Sequence, residues 1–154
     1  MISKDVQLLP AAFDPAAVHS DFLERFGVLG AVVGFTGVVR GEAKGRHVDY
    51  LYLDWYPGMT ETSIQTIADA AAARFDIQAL SIHHRCGEVH AGEPVVFAAA
   101  ASAHRRAAFE AVDYMMDRLK SEAALWKREV GPDVDHWVEP TAVDADDLKR
   151  WSSE

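Results

Sequence analysis

A single domain of the α+β class, with antiparallel sheet segments and packed helices, is what the periodicities along this chain predict. Three observations carry the prediction. Runs of strand character flank stretches whose apolar residues recur every three or four positions. A strand–loop–strand unit spans residues 30–56. The 154 residues, 49% hydrophobic, suffice to bury one core without a disulfide or a structural metal, and no internal repeat or linker divides them.

D-V-Q-L-L reads as a short first strand. Asp14 followed by Pro15 marks a helix start, since the carboxylate accepts from free backbone N–H groups and proline fits the first turn. Val18, Phe22 and Phe26 then give that helix an inward face. G-A-V-V-G-F-T-G-V-V-R and V-D-Y-L-Y-L-D-W-Y read as two strands joined by the polar loop R-G-E-A-K-G-R-H, hence a hairpin. A Pro57-Gly58 turn opens an alanine-rich helix with Ile64, Ile67, Ala71 and Phe75 on one side. A-L-S-I-H-H-R-C-G-E-V is a strand, H-A-G-E-P a turn, and V-V-F-A-A-A-A-S another strand.

The longest expected helix runs from a Ser102 cap to Glu129, with Phe109, Val112, Met116, Leu119, Ala123 and Trp126 as its apolar stripe. Trp137 and Val138 suit either an edge strand or docking against the domain, and the acidic end of the chain is expected to be mobile. The division is thus residues 1–140 as the domain and 141–154 as an acidic C-terminal tail.

With 15 basic against 24 acidic residues the net charge is −9, so neither nucleic acid nor an anionic membrane is an expected partner. Cys86 is the only cysteine, which excludes an intrachain disulfide and a multi-cysteine zinc site. No signal-peptide block or membrane-length apolar run is present, and a cytoplasmic protein is expected. No H-E-x-x-H spacing, dinucleotide fingerprint or phosphate loop occurs, so a metal site is not expected and neither nucleotide-binding motif is present. His83 and His84 fall on opposite faces of their strand and read as ordinary hydrogen-bonded histidines.

The informative residues are therefore basic. Lys120 and Lys127, seven apart on the expected helix, would share an azimuth about 10 Å apart beside the buried Leu119 and Trp126. They are either boundary lysines balanced by Asp117, Glu122 and Glu129 or the wall of a cationic pocket in which one amine becomes a nucleophile or proton carrier. His104, Arg105 and Arg106 stand at the start of the same helix, where free N–H groups receive anions; Arg105 equally suits a role as partner to an acidic side chain, pointing to the packed side. Arg40 either reaches an anion or decorates the hairpin loop.

G-F-T-G-V-V-R, Y-P-G-M-T-E, H-H-R-C-G-E-V with H-A-G-E, S-A-H-R-R-A-A-F-E-A and L-K-S-E-A-A-L-W-K-R-E, in this order over residues 3 to 140, resemble the catalytic (large) subunit family of molybdopterin synthase. The resemblance implies an α+β hammerhead-type fold and a large-subunit homodimer that carries a small ubiquitin-like sulfur-carrier subunit at each outer end, a heterotetramer. It implies transfer of sulfur from the carrier's C-terminal thiocarboxylate to cyclic pyranopterin monophosphate, forming the dithiolene of molybdopterin without a bound prosthetic group. Carried onto this chain, Lys120 and Lys127 become catalytic, with Lys120 the direct participant. Arg40, His104, Arg105 and Arg128 become substrate-binding, some of them across the dimer. Phe35, Met116 and Trp126 either line the channel for the carrier's tail or support the core. The chain departs from the family pattern at Trp55, where some relatives carry histidine, and at W-V-E-P-T, where many relatives continue Ala-Arg. The alternative to catalysis is a noncatalytic anion-binding or protein-interaction domain that holds the same groups without reacting.

Overall fold

The computed structural model describes residues 1–152. The first half of the chain forms β1 (Ser3–Leu9), α1 (Pro15–Phe26), β2 (Ala31–Val38), β3 (Glu42–Ala43), β4 (Arg46–His47), β5 (Tyr50–Trp55) and α2 (Met59–Arg74). The second half forms β6 (Ala79–Arg85), β7 (Gly87–His90), β8 (Pro94–Ser102), α3 (Arg105–Glu122), β9 (Leu125–Gly131), β10 (Val134–Val138) and α4 (Ala142–Lys149). The α+β expectation holds. The strands make one sheet in the order β1-β6-β8-β2, a second in the order β10-β9-β5-β7, and a two-stranded ribbon of β3 and β4. All pairings are antiparallel except β1 with β6.

The first sheet is covered on both faces because its central strand is narrow. Ala98, Ala99, Ala100 and Ala101 are fully buried and alternate: Ala98 and Ala100 meet Ile64, Ile67 and Ala71 of α2 and Val112, Met115 and Leu119 of α3, while Ala99 and Ala101 meet Phe22 of α1. Alanines at these positions let helices approach closely from two sides. Asp14 caps α1 through its side chain, accepting from Ala16 N at 3.0 Å, with Pro15 in the first turn.

At Cys86 the chain leaves the first sheet for the second. Gly87 takes the left-handed φ of +82° that this bend requires. His84, just before it, is buried, and its Nδ1–H donates to Arg85 O at 2.8 Å. Burial, with Lys127 nearby, pushes the ring's pKa from the ordinary 6.5 to about 4 against the effect of that hydrogen bond. His83 donates from Nε2 to Asp5 at 2.9 Å. Both histidines are hydrogen-bonded, as expected.

Three expectations are corrected. The two strands read as a hairpin do not pair: β2 is an edge of the first sheet beside β8, and β5 lies inside the second, between β9 and β7. The polar loop between them folds back on itself as β3–β4, and buried Val39 and Val48 at its ends fix the crossover. The long helix stops at Glu122 rather than Glu129, with His104 rather than Ser102 as its N-cap; Ser102 Oγ instead donates to Asp76 O at 2.7 Å and accepts from His104 N. Phe109, placed on the buried stripe, is 60% exposed, because the face that packs runs through Ala108, Ala111, Val112, Met115 and Leu119.

The helix ends early because the next segment is worth more as a strand. Residues 125–131 bond to β5 on one side and β10 on the other, filling the middle of the second sheet, and this ladder outweighs the good helix propensity of A-A-L-W-K-R-E. The junction is clamped by α2. Thr60 Oγ1 donates to Ala124 O at 2.7 Å while accepting from Tyr56 N, and Ser63 Oγ accepts from Ala124 N at 2.9 Å. Both backbone groups of Ala124 are thereby satisfied by side chains.

The edge strand at Trp137 and Val138 forms as β10. The tail beyond it is helical where mobility was expected: α4 packs on α3, Arg150 pairs with Asp113 and Asp117, and the Trp151 ring packs edge-on against Phe75 and Tyr114. The last two tail residues lie outside the described residues. Among the described residues no helix is long and apolar enough to cross a membrane.

Two outcomes follow. Thr60→Val leaves the half-buried Ala124 carbonyl without its side-chain donor and lowers stability by about 1–2 kcal/mol in urea denaturation. His84 is held neutral in the fold, so below pH 6.5 the unfolded chain binds the proton more readily. Stability therefore falls as pH drops from 6.5 towards 4, by about 3 kcal/mol from this group alone. His84→Gln, compared with wild type in urea at pH 7 and pH 4.5, should lose less stability; equal losses would contradict the assignment.

Candidate active site

Lys120 and Lys127 meet, but not along one helix. Lys120 is in the last turn of α3, whereas Lys127 is on β9 directly across from Leu53 of β5 and Val138 of β10. The extended Ala123, with ψ of 134°, turns the chain between them. Asp144, at the start of α4, completes the group: its Oδ1 lies 3.9 Å from Lys120 Nζ, with the lysine side chain 53% and the carboxylate 19% exposed.

Electrostatics tie the three together. Burial, and then the neighbouring Lys120 cation, press the Lys127 ammonium below the ordinary lysine range, with Asp144 opposing them. Burial works against a charged Asp144, yet the Thr141 backbone amide, Lys120 and Lys127 outweigh it and hold the carboxyl below its usual range. The buried His84 ring also feels Lys127. The site therefore offers one exposed cation, one sheltered amine with a weakened hold on its proton, and one fixed carboxylate.

An open groove of about 560 Å³ leads to Lys120. Val33, Gly34 and Phe35 of the β2 edge form one wall, Phe109, Val112 and Met116 of α3 the other, and Asp144 and Asp147 of α4 its end. Phe35 and Met116 thus line it. Trp126 does not: it projects from the opposite face of β9 to Lys127 and meets Tyr56 edge-on at 5.1 Å. Arg128 shares that opposite face and is held by Asp135 through two bonds of 2.6 and 2.7 Å. It is not brought to the lysines.

His104 and Arg105 are exposed at the other end of α3, where with Arg106, Gly30, Ala31 and Ala103 they line a shallow hollow. Arg105 does not turn toward the packed side. Fifteen residues of helix put Arg105 about 22 Å from Lys120. One chain alone therefore does not unite them. Arg40 is exposed beyond β2; its neighbour Val39 packs on Leu53, the residue across from Lys127, so Arg40 starts from the lysine end of the second sheet. Cys86 is buried, which raises its thiol's pKa. Among the described residues no cluster of three or more His, Cys, Asp or Glu could hold a metal ion.

Asp144 is the site residue that sequence reasoning missed. The signal was present: Thr141-Ala-Val-Asp144 is a capping box, in which Thr141 Oγ1 accepts from Asp144 N at 3.1 Å and Asp144 Oδ2 accepts from Thr141 N at 3.0 Å.

Comparison with known proteins gives the geometry a family. The family model described as "MoaE protein" matches residues 9–122. The molybdopterin synthase catalytic subunit of Caulobacter vibrioides is 45% identical over 149 residues, covering 97% of this chain and 98% of that protein. A solved MoaE protein of molybdopterin biosynthesis from Burkholderia ambifaria MC40-6 superposes with a TM-score of 0.78 at 34% identity, covering all of both chains. A chain from a solved complex of subunits 1 and 2 of molybdopterin-converting factor from Helicobacter pylori 26695, 20% identical, shares the fold with a TM-score of 0.71 over 86% of this chain and 89% of that one. With a family model spanning most of its length and a 45% identical relative matched nearly end to end, the chain belongs to the MoaE family, the catalytic subunits of molybdopterin synthase.

Proposed function

We propose that the chain transfers sulfur from the C-terminal thiocarboxylate of a small ubiquitin-like carrier subunit to cyclic pyranopterin monophosphate, building the dithiolene of molybdopterin. The observation that carries this reading is the pairing of an exposed and a sheltered lysine at the end of a groove, in a chain of this family. The groove is open enough to admit an extended peptide end. Lys120, at its inner end, meets the arriving thiocarboxylate and is the direct participant. Lys127, behind it, holds its proton weakly enough to move it during transfer. The carrier requirement draws support from the two-subunit complex whose chain shares this fold.

The substrate also carries a phosphate, and His104 and Arg105 at a helix N-terminus are suited to it. Since they lie about 22 Å from Lys120 on the same helix, they serve the lysines of a second copy, in a homodimer of large subunits with a carrier at each end. Arg40, starting from the lysine end, contributes in its own chain.

Reconstitution with the thiocarboxylated carrier and cyclic pyranopterin monophosphate, with product read by mass, should show dithiolene formation that falls about 100-fold or more in Lys120→Ala and in Lys127→Ala. Wild-type rates in both variants would sink the mechanism; binding of the carrier without turnover by the folded wild type would support the noncatalytic alternative. Sharing between copies has its own readout. Inactive Lys127→Ala chains mixed with inactive Arg105→Ala chains should regain activity, because one site of each mixed dimer is intact. No recovery despite chain exchange would place both groups in one chain's site.

A further inference from the structure

The C-terminal helix brings one more group to the lysines. Both oxygens of Asp144 are engaged: Oδ2 accepts from Thr141 N at 3.0 Å and so belongs to the helix cap, while Oδ1 lies 3.9 Å from Lys120 Nζ. A carboxylate fixed by its own helix cap cannot swing freely, and α4 is itself tied down by Arg150 on Asp113 and Asp117 and by Trp151 Nε1 donating to Asp117 at 2.6 Å. We propose that Asp144 is a positioning residue of the lysine site: it anchors Lys120 at the inner end of the groove and sets a fixed negative charge facing Lys127. This rests on the sulfur-transfer reading for its purpose, but its physical content is separate.

Two cations in one partly buried volume repel, and the more buried one gives up its proton first. Asp144 opposes that loss at Lys127. A proton carrier must take a proton and return it, so an amine left with no compensating charge would accept poorly. Of the carboxylates on the surrounding elements, Asp144 is the one whose charge bears on Lys127. From α3, Asp117 is taken by Arg150 and Trp151; from α4, Asp147 lines the groove end; from β6, His84 is neutral above about pH 4. From its own sheet Glu129 is 3.1 Å from His136, and from α2 Glu61 accepts from Gly58 N.

The test is trace acetylation of the full chain with acetic anhydride across pH, resolved by residue with mass spectrometry. The neutral amine is the form that reacts. Removing the negative charge destabilises the Lys127 ammonium, so in Asp144→Asn its labelling at a fixed pH below the midpoint should rise roughly two- to five-fold. Asp144→Glu should restore the wild-type curve. Thr141→Ala removes the Oγ1 acceptor but keeps the carboxylate and its bond from the Thr141 backbone amide, so it should leave Lys127 unchanged. In sulfur transfer, the rising limb of the pH–rate profile should move to lower pH in Asp144→Asn. An unchanged Lys127 curve in Asp144→Asn with Trp151 fluorescence intact would overturn the proposal, as would an equal change in Thr141→Ala. Should wild type transfer no sulfur while the labelling shift appears, Asp144's placement stands and the proposed reaction falls.

Discussion

Everything distinctive about the site depends on the two hydrogen bonds that hold Ala124. A chain with the sequence L-K-S-E-A-A-L-W-K-R-E has no glycine or proline to end a helix, and left to local propensity it would continue. Thr60 and Ser63, one turn apart on α2, take the carbonyl and the amide of Ala124 and so satisfy a backbone that has left the helix and not yet joined the sheet. Thr60 is fully buried, which shelters its half of the clamp from water, while Ser63 and Ala124 are half-buried. Had the helix continued, Lys127 would lie two turns up it from Lys120; the β9 ladder draws the segment into the sheet instead, and the clamp closes the junction. Lys127 thereby enters the second sheet, loses hydration, and faces Lys120 and Asp144 together.

The acidic surplus of the chain looks at odds with a cationic site, and the placement of the acids resolves this. Asp113 and Asp117, which line the same groove as Lys120, are held by Arg150, and Asp117 also by the Trp151 indole. These acids fasten the C-terminal segment to α3. Asp144 arrives with that segment and is the carboxylate that reaches the lysines. The groove end is therefore no basic patch: Lys120 stands there beside Asp144 and Asp147, and a fixed ion pair with the sheltered Lys127 near it is what this chain of net charge −9 presents to a ligand.

Most of the fold was legible because its elements obey local rules. Asp14-Pro15 and Pro57-Gly58 each state their structure in a few residues. The failures share a cause. Whether 125–131 is helix or strand, and whether β2 pairs with β5 or with β8, is decided by partners distant in sequence, which periodicity does not contain. The lysines were singled out for a geometry they do not have, and they meet nonetheless through a different one. Asp144 was passed over because an acidic chain end was read by composition, although its capping box and the tryptophan seven residues on describe a docked helix.

The central claim is that two lysines from separate elements form one coupled site within a single chain. The most direct measurement is a residue-resolved NMR titration of the Lys127 side chain in wild type and in Lys120→Met. Lys127 should titrate below the ordinary lysine range in wild type, and the midpoint should rise when the Lys120 charge is removed. A Lys127 midpoint in the ordinary range, or one indifferent to Lys120, would contradict the account.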